Sequence, residues 1–189
     1  DGKLTGITHE ALANTSPYED FTEGIVAMSK FMYACPPVNP RSPLVPLNMS
    51  TPVWMRGPGE ATGAFALESA IDELAYKLKL DPLELRIRNH ADTDPERNLP
   101  FSSKYRKGSN QLCAEKIGWS ERNPAPRSMQ ENGMLVGYGM SSGTFGAYRG
   151  KATASATLKA DGSLVLHSAV SDIGPGTGTA MVQIAADAT

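Results

Sequence analysis

Apolar residues between Glu60 and Leu80 recur at steps of three and four. Ala64, Leu67, Ile71, Leu74 and Leu78 share one face, which predicts an amphipathic helix with that face buried. A second helix is predicted directly after it. Asp81 suits the N-cap, Pro82 the first helical position, and Glu84 completes a capping box; Leu83, Leu85 and Ile87 supply apolar contacts and Asn89 a stop. Near the start the period changes to two. Ile7, His9, Ala11 and Ala13 share a parity, so Leu4–Ala13 reads as a strand, and Lys3–Ile7 as the second half of a hairpin. Phe21–Tyr33 reads as helical. Pro36, Pro37, Pro40 and Pro43 then impose an extended, irregular connection. Val45, Leu47 and Met49 alternate, predicting a short strand that enters the segment around Trp54.

Residues 91–111 are polar and loop-like, and Leu112–Trp119 is predicted as a short helix. From Arg122 to Asn132 two prolines and many polar residues read as a linker. Beyond it the pattern is strand-like over Met134–Tyr148, Ala152–Leu158 and Leu164–Val170, with Asp161-Gly162 turning the last two into a hairpin. A helical run, Ala180–Ala188, follows. The implied fold class is α+β in two mixed lobes, residues 1–121 and 133–189, joined by a linker at 122–132. Asp1-Gly2 is a turn pair without an initiator Met, and Met181–Thr189 is an apolar stretch without a cap. The chain is therefore expected to be an internal piece of a longer one, with both lobes truncated.

Composition narrows the chemistry. A formal net charge of -2 gives no electrostatic reason to expect nucleic acid or an anionic membrane as partner. No apolar run approaches the roughly 18 residues of a membrane span. Cys35 and Cys113 are far apart and His9, His90 and His167 are scattered, so neither a disulfide framework nor a metal site built from protein ligands is expected.

Two glycine-rich turns carry the candidate chemistry. The first, Met55-Arg56-Gly57-Pro58-Gly59-Glu60, leads into the long helix. Gly57 and Gly59 allow backbone angles that other residues resist and a close approach of main chain to ligand. The helix start offers unpaired N–H groups, and Arg56 adds a planar cation suited to an oxo group or a carboxylate. The second, Ser171-Asp172-Ile173-Gly174-Pro175-Gly176-Thr177-Gly178-Thr179, lies between a strand and a helix. Its N–H groups and the Thr177 and Thr179 hydroxyls form a cradle for a phosphate or the polar edge of a pterin. No Gly-Lys-Ser/Thr follows, and the third glycine comes too early for a dinucleotide fingerprint. By pattern alone a plain tight turn and a ligand-free loop remain open alternatives.

Other residues have blander readings. Trp54 and Phe145 could wall a substrate pocket, but as aromatic residues they read as core. Glu68, Asp72 and Glu73 read as a solvated helix face, Arg86 and Arg88 as surface residues, and Asp172 as the head of an Asx-type turn.

Taken in order, Trp54-Met55-Arg56-Gly57-Pro58-Gly59-Glu60-Ala61, Phe65-Ala66-Leu67-Glu68-Ser69-Ala70-Ile71-Asp72-Glu73-Leu74-Ala75 and Asp81-Pro82-Leu83-Glu84-Leu85-Arg86-Ile87-Arg88-Asn89 resemble the molybdopterin-binding subunit of the xanthine dehydrogenase/aldehyde oxidase family. Ser171–Thr179 is similar to that family's second cofactor loop. Tyr33-Ala34-Cys35-Pro36 and Leu99-Pro100-Phe101-Ser102-Ser103-Lys104 point to its bacterial aldehyde oxidoreductase branch.

The resemblance implies an intact subunit carrying molybdenum on a pterin dithiolene, often extended in bacteria by cytosine dinucleotide. It implies oxidation of an aldehyde or heteroaromatic C–H with water as oxygen source. Electrons would leave through Fe-S and FAD centres on partner domains or subunits, in the cytoplasm or the periplasm. It places Arg56 beside the metal or substrate as the catalytic cation. Met55, Gly57, Pro58 and Gly59 would approach the molybdenum end, and Gly174, Pro175, Gly176 and Thr177 the pterin or its phosphate. Pro175 departs from the glutamine of many members and lacks an N–H. The family's general-base glutamate would lie beyond Thr189 and its Gly-Phe-Gly segment before Asp1, so the chain alone is expected to be inactive. The alternative is a non-catalytic cofactor- or phosphate-binding module on the same scaffold.

Overall fold

The computed structural model describes residues 1–35, 37–146 and 148–189; Pro36 of the expected proline-rich connection and of the Tyr33–Pro36 run, and position 147 of the expected strand Met134–Tyr148, lie outside the described residues. The architecture is α+β, in two compact units, Asp1–Phe145 and Gly146–Thr189.

The first unit begins with short strands β1 (Ile7–Glu10), β2 (Ala13–Thr15), β3 (Val38–Arg41) and β4 (Leu44–Pro46). β1 pairs with β3 and β2 with β4, both in parallel, with Ile7 opposite Val38 and Ala13 opposite Leu44. The expected parity holds: His9 is buried, Ile7, Ala11 and Ala13 are half-buried, and their neighbours Thr8, Glu10 and Leu12 are exposed. Residues 3–6 are not strand, the first half of the expected hairpin falls outside the chain, and β1 meets β3 only through a crossover, as parallel pairing demands. Within that crossover the expected helix Phe21–Tyr33 is reduced to a 3-10 turn, Ala27–Lys30. The backbone of Gly24 and Ile25 is pressed against the start of the long helix, where a Cβ on Gly59 would lie 2.6 Å from Gly24 N and one on Gly63 would fall on the Ile25 carbonyl oxygen.

The long helix, α1 (Glu60–Leu78), buries Gly63, Leu67, Glu68, Ile71 and Ala75. Ala64 and Leu74 flank this face, and Leu78 points to solvent. The core is formed where Leu67, Ile71 and Ala75 meet Met28, Met32 and Tyr33 from the crossover and Leu85 from α2 (Pro82–Arg88). α2 starts as expected: the Asp81 carboxylate accepts from Leu83 N at 2.7 Å and Glu84 N at 3.4 Å, Pro82 opens the helix and Asn89 ends it. The Glu84 side chain turns to Arg88 rather than back to Asp81, so only half of the capping box is made.

Glu68, Asp72 and Arg86 correct the sequence reading. Arg86 is 1% exposed and Glu68 3%. Arg86 Nε donates to Glu68 Oε2 at 2.8 Å and Nη1 to Asp72 Oδ1 at 2.6 Å; the remaining N–H groups reach the Pro82 and Glu68 carbonyls. Glu68 also accepts from the Tyr33 hydroxyl and from Ser142 N, the latter at 2.8 Å. Burial works to lower the Arg86 pKa, but Glu68 and then Asp72 outweigh it, so the guanidinium is held more firmly charged than usual. At Tyr33 burial and the Glu68 carboxylate together push the phenol upward.

α3 spans Arg106–Lys116, starting earlier than the predicted Leu112 and within the expected loop 91–111, and a 3-10 turn at Trp119–Glu121 follows. Arg122 stacks over Trp119 at 3.5 Å and donates to Asp81 at 2.5 Å. A hairpin of β5 (Met129–Glu131) and β6 (Met134–Val136) follows, with Asn132 and Gly133 both at positive φ, as a type I′ turn requires. The expected strand from Met134 is cut to Val136, because Gly137, Gly139 and Gly143 break it and Ser142 is held by Glu68 and Asn110. The second unit contains β7 (Ala154–Leu158) paired antiparallel with β8 (Leu164–Ser168), and α4 (Thr177–Asp187), which begins earlier than the expected Ala180. None of its described residues is buried.

Two measurable consequences follow from this packing. Gly63→Ala should destabilise the first unit, although alanine is the better helix former by about 1 kcal/mol. The new methyl has no room beneath the Ile25 carbonyl, and overpacking of this kind costs about 1–3 kcal/mol. A melting temperature equal to or above that of the parent would contradict it. Stability should also fall on acidification. Burial holds His9 below the ordinary imidazole range; at His90 burial, then Arg106 and Lys104, do the same. Both rings are favoured neutral in the fold, so the unfolded chain binds protons first. Their contribution is complete above about pH 6.5 and is lost as pH falls through that value towards the folded pKa. Below pH 4 the lowered Asp81 carboxyl adds loss of the same sign. Urea midpoints that stay constant from pH 7.5 to 5.5 would refute the histidine contribution.

Candidate functional site

The first turn stands on a well-knit base. Ser16 Oγ and Thr51 Oγ1 are 2.7 Å apart, and Leu47 N donates to Thr15 O at 2.8 Å. These bonds tie the segment 47–51 to the loop after β2. The chain then runs out into solvent. Val53, Trp54 and Met55 are 74%, 69% and 73% exposed, so Trp54 is not core. Its neighbour is Phe21, ring centroids 5.8 Å apart. Phe145, also read as core, is exposed as well.

Arg56 is exposed and makes no ion pair among the described residues. Gly57 and Gly59 adopt φ of 61° and 80°, a region L side chains resist. Their roles differ. A Cβ at Gly57 would meet only Ala61, so the backbone angle is what requires glycine there; at Gly59 the same angle is joined by the Gly24–Ile25 contact. Gly59 is the N-cap of α1 and no side chain caps the helix. The turn therefore combines a free guanidinium with a helix start whose dipole also favours negative charge.

The second turn lies in the other compact unit. Gly174 and Gly176 have φ of 116° and 82°, and Gly176 is the N-cap of α4, again without a side-chain cap. Asp172 is the head of the turn, as expected: its Oδ1 accepts from Gly174 N at 2.9 Å and Gly176 N at 3.3 Å, and these bonds hold its carboxyl below the usual range. The loop is thus a backbone nest already aimed at an anionic oxygen, supplied by its own Asp172. Gly178 has neither a positive φ nor any neighbour that a Cβ would touch, as is also true of space around Gly174 and Gly176. The open approach over 174–178 and the Thr177 and Thr179 hydroxyls fit a polar cofactor edge, while the Gly174 and Gly176 donors are already taken by Asp172. The uncommitted Arg56 and the bare Gly57 turn fit an oxo-bearing group.

A broad concavity of the first unit lies elsewhere. Leu80, Leu83, Ile87, Trp119 and Pro124 line it, and its Asp81 and Arg122 are already paired with each other. Sequence reasoning missed the buried Glu68–Arg86 cluster beneath α1 and the Asn132-Gly133 hairpin; an Asn-Gly pair beside apolar residues was a usable signal for the latter.

Two family models, each described as a molybdopterin cofactor-binding domain, match residues 1–90 and 112–189. The chain belongs to this family of molybdopterin-binding domains, the class named in the molybdenum-binding subunits of aldehyde oxidoreductases and xanthine dehydrogenases. It is 35% identical over 187 residues to the aldehyde oxidoreductase molybdenum-binding subunit PaoC of Escherichia coli K12, covering 98% of this chain and 25% of that protein. It is 29% identical to the aldehyde oxidoreductase of Megalodesulfovibrio gigas, covering 100% of this chain and 22% of the relative. Among solved structures, the aldehyde oxidoreductase from Desulfovibrio gigas matches with a TM-score of 0.61 and 26% identity over 88% of this chain and 19% of that one. The chain spans about a quarter of the length of these curated relatives.

Proposed function

We propose that the longer protein containing this chain is a molybdenum-dependent hydroxylase that oxidises aldehydes or related heteroaromatic compounds with water as oxygen source. In this reading the chain contributes parts of two consecutive cofactor-binding domains, residues 1–121 and 133–189, joined at 122–132. The observation that carries it is Arg56: a solvent-facing guanidinium without a carboxylate partner, on a glycine turn at a helix start. The names of the relatives support the same reading. When bound, the molybdenum–pterin group would supply oxygen transfer and two-electron redox chemistry.

The chain's own residues bind and polarise. Arg56 would hold its guanidinium towards negative charge on the bound substrate. Met55, Gly57 and Pro58 would line the molybdenum end, Gly57 leaving the main chain bare for close approach, while Gly59, buried against Gly24 and Ile25, would set the turn behind them. Gly174, Pro175, Gly176 and Thr177 line the pterin or phosphate side, with Gly178 leaving room beside them. The cytosine dinucleotide form of the cofactor, Fe-S and FAD partners, and a bacterial cytoplasmic or periplasmic location belong to this proposal.

A second reading, a non-catalytic binding module, has two observations in its favour. Pro175 has no N–H to give, and Asp172 already occupies the Gly174 and Gly176 donors. Metal analysis and aldehyde turnover of the purified full-length protein separate the readings. Stoichiometric molybdenum with turnover is expected. Molybdenum without turnover would favour the module, and absence of molybdenum would overturn the hydroxylase.

A further inference from the structure

We infer that Lys104, Arg106 and His90 surround a binding site for a small oxyanion, of sulfate or phosphate size, at the start of α3. The site lies apart from both glycine turns and does not depend on the molybdenum reading.

Arg106 is the first residue of α3 and 8% exposed. Its guanidinium lies over the Tyr33 ring, Cζ 4.4 Å from the centroid, with Nη2 3.4 Å from His90 Nδ1. Nε and Nη1 are buried and have no hydrogen-bond partner. Among the described residues no carboxylate stands within ion-pair distance of Arg106 or Lys104. Asp92 reaches only the far nitrogen of His90, at 3.7 Å, and is otherwise in solvent.

The contrast with Arg86 shows what is missing. Arg86 is buried in the same unit and has two carboxylates and two carbonyls around it. Arg106 has neither. Lys104 stands close by, half-buried, with Nζ 4.0 Å from the Phe101 centroid and donating to Phe31 O at 2.9 Å. Burial and then Arg106 push its ammonium down to about 8, and Arg106 and Lys104 both disfavour a charged His90. Three basic groups therefore crowd one place, with Asp92 and Asp94 near enough to be felt but, among the described residues, no carboxylate paired with Arg106 or Lys104.

A buried guanidinium with unmade bonds and no counter-ion is among the costliest arrangements a fold can hold. Enclosed water would satisfy the bonds and leave the charge; an oxyanion satisfies both. Both unpaired nitrogens are closed to solvent, so an entering ion must displace the side chains packed around them, which restricts the occupant to a small one. The first turn of α3 has no side-chain cap, so its N–H groups add donors of the right sign.

The test is calorimetric titration of sulfate into the full-length protein at constant ionic strength. Saturable binding is expected, weakened about 10–100-fold in Arg106→Gln, the usual worth of a charge-assisted hydrogen bond. Should that variant fail to fold, Lys104→Met, a change at a half-exposed side chain, is expected to weaken binding about tenfold. Absence of saturable binding overturns the site. So does equal affinity in wild type and variants, the mark of an adventitious ion only.

Discussion

Arg86→Met should loosen the first unit by about 3–5 kcal/mol, the usual cost of removing one partner from a buried ion pair. The methionine fills most of the volume, so lost packing is a minor part. The larger part is Glu68, left 3% exposed with its negative charge facing an apolar core. Glu68 would keep the Tyr33 hydroxyl and Ser142 N but lose the one cation paired with it among the described residues. Opening of α1, read by amide hydrogen exchange across Leu67–Ala75 in the full-length protein, should accelerate by about two to four decades. Adding Glu68→Leu should restore part of the loss, because an apolar pair of similar volume is often as stable as a buried ion pair. Recovery should be incomplete, since Ser142 N and Tyr33 then lose their acceptor. Exchange in the single variant within threefold of wild type would show that the pair is dispensable.

Arg56→Gln should lower kcat/KM of the full-length protein for an aldehyde by about 10²–10³, the worth of one well-placed donor to developing negative charge. The fold should be untouched, because Arg56 is exposed and bonded to nothing in the first unit. Molybdenum content should be largely retained, which separates a defect in chemistry from a defect in loading. Arg56→Lys should recover only part of the rate, since an ammonium keeps the charge but not the planar fork of donors. Wild-type turnover in Arg56→Gln would remove this residue from the mechanism and leave the turn as a structural feature alone.

Elements whose cause is local were legible in the sequence. The α2 start was visible because Asp81, Pro82 and Asn89 act through bonds within one turn. The β7–β8 hairpin follows from Asp161-Gly162, and α1 from a long apolar period. Both glycine turns were legible for the same reason, since a positive φ is a property of the residue and its neighbours. The membership in the molybdopterin-binding family came from the order of these local motifs along the chain.

Tertiary structure decided what depends on partners distant in sequence. Glu68 and Arg86 look like surface charges because nothing in a linear pattern shows that α2 folds back on α1 and brings opposite charges together inside the core. The segment Phe21–Tyr33 has a helix's composition, but it packs its Gly24–Ile25 backbone against Gly59 and Gly63 and keeps only the 3-10 turn Ala27–Lys30. The parallel pairing of β1 with β3 was equally hidden, as a parallel partner lies a crossover away. Local chemistry sets where turns and caps fall; burial, charge pairing and strand partnership are settled only when remote parts of the chain compete for the same space.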